Sequence, residues 1–223
     1  MQGPGLAAEP LRAEVAVTDV GYQADAAAPR GKGRPPSTSH AMLEEIGIRL
    51  FTERGYDETS IDDIAAAAGI GRRTFFHYFP SKADLVWGDF EGELDRMRAC
   101  LAALDPGLPM MEAVRQAVVD FNRLQPEQEV QHRRRLRLIL GVPTLIANST
   151  LQFAHWRKVL AEFAAQRLGQ DPGDLLPRTI GHCALGASIA AYEEWLRDPG
   201  ADLSVLLADA FGELAQGFAG EHR

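Results

Sequence analysis

The sequence predicts an all-α protein in which a small N-terminal domain of three helices is joined to a larger helical domain. Apolar residues recur at helical spacing through most of the 223 residues, and no stretch of useful length alternates at period two. Proline and glycine fall at the joints between these segments. A hydrophobic content of 46% and a charged content of 24% are ordinary for a globular chain. We therefore expect about nine helices and no strands.

This pattern divides the chain into three parts. Residues 1–36 are rich in Ala, Gly and Pro and have few large apolar residues, so we expect a disordered N-terminal arm. Residues 37–84 hold the three-helix domain, whose first helix is predicted at roughly 39–54 from its apolar stripe. Residues 85–223 hold the larger helical domain.

The segment 59–82, TSIDDIAAAAGIGRRTFFHYFPSK, predicts two short helices joined by a tight turn. Ser60 can cap the first helix, and Asp63 occupies the acidic position of a capping box. Gly69 supplies the positive φ with which the chain leaves that helix. The second helix begins with two arginines. Such a pair is a helix-turn-helix, whose second helix lies in the DNA major groove with its first side chains on base edges.

This docking mode predicts which residues contact DNA. Arg72 and Arg73 can each bind guanine through a bidentate fork, so we expect them to read bases. The basic end of the arm, RGKGRPP at 30–36, is either a loose tail or a segment that contacts phosphate or the minor groove. We expect the phosphate backbone to be held by Ser60, Thr74, Tyr78 and Lys82. The predicted DNA-binding residues are Arg72, Arg73, Thr74, His77, Tyr78, Lys82, Ser60 and Arg34.

The formal net charge of −8 is distributed unevenly along the chain. Residues 30–87 carry eight basic and eight acidic side chains, whereas the remaining residues carry 15 basic and 23 acidic ones. A neutral DNA-facing end and an acidic remainder fit a DNA-binding protein whose other domain is kept away from the phosphates. The charge also argues against tight, sequence-independent binding through a broad basic surface.

The segment 50–85, LFTERGYDETSIDDIAAAAGIGRRTFFHYFPSKADL, resembles the DNA-binding domain of TetR-type regulators. The resemblance implies an all-α repressor that binds a palindromic operator as a homodimer and responds to a small-molecule effector. Two positions depart from the family pattern. Phe76 stands where the family usually has Tyr, so a phosphate-contacting hydroxyl is missing, and Gly71 removes a side chain that could read a base.

The larger domain is predicted to be helical throughout. Ser81 caps a long helix that runs to about residue 104. Five further helices are predicted near 110–124, 127–140, 144–168, 174–197 and 203–218. Three segments of this domain, WGDF at 87–90, HRRRLRLIL at 132–140 and AYEEWLRD at 191–198, resemble the regulator found with mycofactocin biosynthesis genes, a TetR subgroup. That resemblance implies a long-chain acyl-CoA as the inducer.

We expect the effector to bind between helices of this domain, where apolar and aromatic side chains form a bundle core. The predicted ligand-binding residues are Met111, Val114, Phe121, Leu138, Phe153, Trp156 and Tyr192. Aromatic residues on long helices, such as Phe153, Trp156 and Tyr192, more often belong to an ordinary core than to a ligand site, although bundle cores are where such ligands bind. We expect the last two helices to form a four-helix bundle with a second copy through Gly186, Ala187, Ala190, Ala191, Leu206, Phe211, Leu214 and Phe218, although these residues could instead close the monomer's own core.

The basic run His132, Arg133, Arg134, Arg135 and Arg137 favours a solvated helix face paired with nearby glutamates, and a site for acyl-CoA phosphates is the alternative. Cys100 and Cys183 are far apart in sequence and are expected to be reduced, buried residues.

The sequence offers little support for catalysis. No GxSxG, HExxH, Walker or paired CxxC pattern occurs, so we expect no catalytic residue, metal or cofactor. No apolar run approaches membrane-spanning length and no secretory signal is evident, so we expect a cytoplasmic protein with no membrane partner. The alternatives are a regulator that activates or has no effector, a helical enzyme, and an interaction module with a vestigial helix-turn-helix.

Overall fold

Helix follows helix along the chain in the computed structural model, which describes residues 38–217. The ten helices of this part are α1 (His40–Arg54), α2 (Ile61–Ala67), α3 (Arg72–Tyr78), α4 (Lys82–Trp87), α5 (Phe90–Ala102), α6 (Met110–Phe121), α7 (Pro126–Gly141), α8 (Pro143–Leu168), α9 (Leu175–Arg197) and α10 (Leu203–Ala215). No strand occurs among the described residues. The predicted all-α class is confirmed.

The predicted capping box begins α2. The Asp63 backbone N–H donates to the Ser60 hydroxyl at 3.1 Å, and the Ser60 N–H donates to the Asp63 carboxylate at 2.8 Å. These two bonds satisfy backbone donors that a helix start leaves open. After α2, Gly69 adopts a φ of 68°, and the Ile70 N–H donates back to the Ala65 carbonyl at 2.9 Å. Local sequence therefore fixes the turn between the two short helices.

The long helix predicted from residue 81 to about 104 is interrupted, and this difference gives ten helices instead of nine. Gly88 ends α4 with φ 63° and ψ −144°, a conformation that L side chains rarely adopt. Asp89 then caps α5 by accepting a hydrogen bond from the Gly92 N–H at 3.1 Å. Because a helix-stop glycine is followed directly by a helix-start aspartate, the chain turns here.

Two apolar cores hold the helices together. The first core joins α1–α4 around Ile48, Phe51 and Phe75, and it continues onto α7 and α8 through Ile139 and Leu145. The second joins α5–α10, with large buried members Leu94, Met97, Trp156, Trp195 and Phe211. The first core therefore crosses the boundary that the sequence predicts near residue 84, and the division into domains stays a prediction.

Two burial expectations were wrong. Arg133 does not lie on a solvated face: its guanidinium is buried 3.9 Å from the Trp195 ring centroid and donates to the Trp195 and Asp198 carbonyls. It also pairs with Glu129 at 3.0 Å. Helical periodicity could not anticipate this because a guanidinium is buried only where a specific acceptor set surrounds it. Cys183 is exposed on α9 and therefore is not a core residue.

The predicted dimer residues divide between two environments. Ala191 and Phe211 are buried within the chain's own core, as the alternative interpretation required, whereas Gly186 and Ala190 are exposed on α9. Ala187, Leu206 and Leu214 are partly buried. Phe218 lies outside the described residues. None of the helices described between residues 38 and 217 is long and apolar enough to cross a membrane.

Candidate DNA interface and effector cavity

The second helix of the helix-turn-helix, α3, is anchored by one face and exposed on the other. Phe75 is fully buried against Ile64 and other members of the first core. The other polar residues of the helix start and middle, Arg72, Arg73, Thr74 and His77, are all exposed. Because successive residues of an α-helix are about 100° apart, Arg73 and His77 point away from the buried Phe75, whereas Arg72 and Thr74 lie nearer to its side of the helix and still reach solvent. This arrangement agrees with their predicted role at DNA.

Arg72 has a partner within the chain. Its guanidinium forms an ion pair with Asp62 at 2.9 Å and lies 5.4 Å from the ring centroid of Phe76. The side chains of Arg72 and Asp62 are 57% and 65% exposed, so the pair is worth at most about 1 kcal/mol. A base or phosphate can replace Asp62 at little energetic cost.

The predicted phosphate-binding residues already have intramolecular hydrogen bonds. The Lys82 ammonium donates to the Tyr56 and Thr59 carbonyls at 2.7 and 3.2 Å, which leaves one N–H donor. The Tyr78 hydroxyl donates to the Thr38 carbonyl at 2.9 Å. Ser60 is exposed but engaged with Asp63, and Arg34 lies outside the described residues. Their contact with DNA stays a prediction.

A cavity of about 710 Å³ lies between α1, α5, α7, α8 and α9. Its volume falls within the usual range for small-molecule sites. Apolar and aromatic side chains supply much of its wall, among them Trp87, Phe90, Phe121, Leu136, Ile139, Phe153, Trp156 and Tyr192. Four of the seven predicted ligand-binding residues, Phe121, Phe153, Trp156 and Tyr192, meet at this cavity.

The other three predicted ligand-binding residues do not line the cavity. Met111 and Val114 belong to the first half of α6, where they pack into the second core, whereas the last residue of that helix reaches the cavity. Leu138 contributes to the first core, while its neighbour Ile139 lines the cavity wall. Helical spacing identified the correct helices, but it could not determine which part or face of each helix borders the empty space.

Buried polar groups interrupt the apolar wall. The Tyr192 hydroxyl donates to the Asn122 side-chain carbonyl at 2.6 Å, and burial raises the pKa of Tyr192, so the hydroxyl stays protonated. Burial, and secondarily the positive charges of Arg135 and Arg96, lowers the pKa of His132 to about 4. The imidazole is therefore neutral near pH 7, and its buried Nε2 has no hydrogen-bond partner among residues 38–217.

An ion pair between Glu44 on α1 and Arg135 on α7 also lines the cavity; we call it the junction ion pair. The two side chains are 17% and 24% exposed and approach to 2.5 Å. A Cβ atom on Gly88 would lie 3.0 Å from both Glu44 carboxylate oxygens and 3.1 Å from Arg135 Nη1. The break between α4 and α5 therefore packs directly on this pair.

Sequence reasoning missed the roles of Glu44, Trp87 and Asn122 at the cavity. Asn122 carries a weak signal, because a polar amide directly follows the apolar α6 pattern. Glu44 carries none, since a charged residue on the first helix is ordinary surface composition.

The helix-turn-helix joined to a helical domain with an internal cavity defines a class of bacterial transcriptional regulators. Residues 45–86 match the family model described as bacterial regulatory proteins of the tetR family, and residues 108–219 match the MftR C-terminal domain. The chain belongs to the TetR family, as its motifs predict. Its relatives and fold are those of transcriptional regulators and not of enzymes.

Two curated relatives illustrate the likeness. The candidate mycofactocin biosynthesis transcriptional regulator MftR of Mycobacterium tuberculosis is 39% identical over 185 residues, covering 83% of this chain and 93% of the relative. The HTH-type transcriptional regulator TcmR of Streptomyces glaucescens is 27% identical, and the match covers 80% of this chain and 83% of that relative. The predicted similarity to the mycofactocin regulator subgroup is confirmed.

Two solved structures show the same fold. The fatty acid degradation regulator FadR of Bacillus halodurans is 18% identical, with a TM-score of 0.61, over 82% of this chain and all of the other. The TetR-family repressor FadR of Thermus thermophilus, solved with lauroyl-CoA, is 20% identical, with a TM-score of 0.52, over 83% of this chain and 97% of the other.

Proposed function

We propose that this protein is a ligand-responsive cytoplasmic repressor that binds a palindromic operator as a homodimer and controls mycofactocin biosynthesis genes. The observation that carries the DNA-binding part is the exposed polar face of α3, held outward by buried Phe75. The relative at 39% identity and the match to the MftR C-terminal domain support the choice of target genes.

A long-chain acyl-CoA is the proposed inducer. The cavity is large enough for a small-molecule ligand, and Phe153 and Trp156 contribute aromatic surface against which an acyl chain can pack. The Thermus thermophilus structure contains lauroyl-CoA, which supports this ligand class for the fold. Binding of the ligand shifts the protein away from the DNA-binding conformation only to the extent that its affinity differs between the two conformations.

The homodimer is proposed to form through α9 and α10. Gly186 and Ala190 are small exposed residues on α9, and Val205 on α10 is an exposed large hydrophobic residue. Small residues allow two helices to approach closely, and a two-fold axis makes the same patch serve both copies. In such a dimer the two α3 helices would lie one DNA turn, about 34–36 Å, apart.

The proposal is tested by measuring binding to a labelled DNA fragment from the region upstream of the protein's own gene. We expect Arg72→Ala or Arg73→Ala to weaken binding by about 1–3 kcal/mol and to relax preference at one base position, whereas Lys82→Ala weakens binding to all sequences alike. Arg98→Ala is the matched control, because Arg98 is an exposed arginine of α5 that pairs with Asp95. Full affinity and specificity in both α3 variants would rule out this docking mode.

The inducer is tested by calorimetry with lauroyl-CoA, with and without the operator fragment. Coupling is reciprocal, so the operator must weaken lauroyl-CoA binding by the same factor by which lauroyl-CoA weakens operator binding. Equal affinity in the two titrations would remove lauroyl-CoA as the inducer and leave the DNA-binding assignment in place.

A further inference from the structure

The junction ion pair connects the helix-turn-helix region to the effector cavity. Glu44 belongs to α1, which packs in the first core with α2 and α3, and Arg135 belongs to α7, which forms a wall of the cavity. The pair is the least exposed of the carboxylate–arginine pairs that border the cavity; the Glu93–Arg96 pair is about half exposed. Its interaction is therefore less screened by water than that of a surface pair.

We propose that the effector carries an anionic group on an apolar chain, and that this group binds the Arg135 guanidinium in place of Glu44, thereby releasing α1 from α7. This inference rests on the proposed function, because it assigns the ligand class and the switching contact of the same cavity. The anion is a carboxylate or a phosphate, since the planar guanidinium fork matches both.

Desolvation explains why Arg135 should exchange Glu44 for a ligand anion and should not simply lose its carboxylate partner. An arginine that is 24% exposed is destabilised when its carboxylate partner leaves and no other anion arrives. A ligand anion supplies that partner while its apolar chain packs against the nearby side chains of Leu136, Ile139 and Phe153. Glu44 then reaches water from α1, where a free carboxylate is well solvated.

The local packing makes the pair responsive to such a change. Gly88 lets the ion pair lie against the α4–α5 break, because a Cβ atom at this position would come within 3.0 Å of both Glu44 carboxylate oxygens. The aliphatic contacts of Ile139 and Leu145 with the first core remain when the ion pair separates. We therefore expect α1 to pivot on this apolar contact while the protein stays folded.

The inference is tested by calorimetry on the full chain with three probes of equal chain length: dodecanoate, lauroyl-CoA and uncharged 1-dodecanol. The wild-type protein should bind at least one anionic probe more tightly than dodecanol, and Arg135→Gln should reduce that preference about tenfold. Arg135→Lys, which keeps the charge but loses the fork, should retain part of it. Arg98→Gln, in an exposed ion pair of α5, serves as the control and should leave all three affinities unchanged.

Glu44→Gln provides the opposite change. Because the Glu44 carboxylate then no longer competes for Arg135, the anionic probe should bind about tenfold more tightly, while dodecanol affinity stays constant. Hydrogen exchange in α1 should be fast in this variant without ligand, and in the wild-type protein only after the anion is added. If dodecanoate binds more tightly than dodecanol and this difference depends on Arg135, the group that binds Arg135 is a carboxylate. If only lauroyl-CoA shows such a difference, the group is a CoA phosphate.

Three results would overturn the inference: no binding of any probe, anion affinities that Arg135→Gln leaves unchanged, or α1 exchange that neither the anion nor Glu44→Gln alters. The outcome is separable from that of the proposed function. If lauroyl-CoA releases operator DNA from Arg135→Gln as readily as from the wild-type protein, the junction ion pair is not the switch but the repressor stands. If anion affinity follows Arg135 and no DNA is bound, the repressor fails and the site remains.

Discussion

Replacing Gly181 by alanine tests the close approach of α8 and α9, the two longest helices and both part of the cavity wall. A Cβ atom at Gly181 would lie 2.7 Å from the Arg157 carbonyl oxygen and 3.4 Å from its carbon. The obstacle is backbone, which cannot rotate away as a side chain can. The helices must separate by roughly 0.7 Å to reach an ordinary contact in a close-packed interior.

The magnitude follows from two opposing effects. Alanine is favoured over glycine in a helix interior by about 1 kcal/mol. Overpacking of a well-packed contact costs about 1–3 kcal/mol. We therefore expect Gly181→Ala to change the free energy of unfolding by between about 0 and −2 kcal/mol.

Gly186 of the same helix is the matched control, because an added Cβ there meets no atom of the described chain within 4 Å. Gly186→Ala should stabilise the protein by about 1 kcal/mol, so the two variants should differ by the overpacking cost, about 1–3 kcal/mol. Thermal unfolding should resolve this at about 2–4 °C per kcal/mol. Two protein concentrations are needed, since an effect of Gly186→Ala on a dimer would depend on concentration. Equal stabilisation by both variants would refute the argument for a backbone contact at Gly181.

Three further predictions concern single residues. The pKa of His132 is about 4 in the folded protein and near 6.5 when unfolded, so the free energy of unfolding should fall by about 2–4 kcal/mol as pH falls from 6.5 to 4. Urea unfolding of His132→Gln should show a smaller loss of stability over this pH range. An unchanged pH dependence would assign the loss to another residue. Phe76→Tyr restores a hydroxyl on exposed α3 and should strengthen operator binding by about 1 kcal/mol in a gel-shift titration, without changing base preference. Cys183 is exposed on α9 near Gly186, so its thiol should react with a maleimide several-fold more slowly as dimer forms; a rate independent of protein concentration would place the interface elsewhere.

Features that depend on neighbours in sequence were predictable. The capping box at Ser60 and the positive φ of Gly69 are set by a few adjacent residues, and both were found as expected. The break at Gly88 carried the same kind of signal, glycine followed by a capping residue, but the apolar pattern on both sides suggested a continuous helix.

Features that depend on packing between distant segments were not predictable. Helical periodicity gives an apolar stripe, but Leu138 and Ile139 are adjacent members of the first core of which only Ile139 lines the cavity, and the arrangement of neighbouring helices decides which one does. Arg133 is buried because Trp195 and Asp198, more than 60 positions away, place carbonyl oxygens around it. Likewise, Glu44 becomes part of the cavity only because α7 brings Arg135 to α1.

The core that α1–α4 share with α7 and α8 limits how far this protein can be treated as interchangeable modules. A chimera that joins the helix-turn-helix of a relative to this C-terminal region would also replace the surface that meets Ile139 and Leu145. A fragment ending near residue 86 would leave that apolar surface uncovered and prone to association. Changing the operator sequence that such a regulator recognises is therefore better attempted by substituting exposed residues of α3 than by exchanging whole domains.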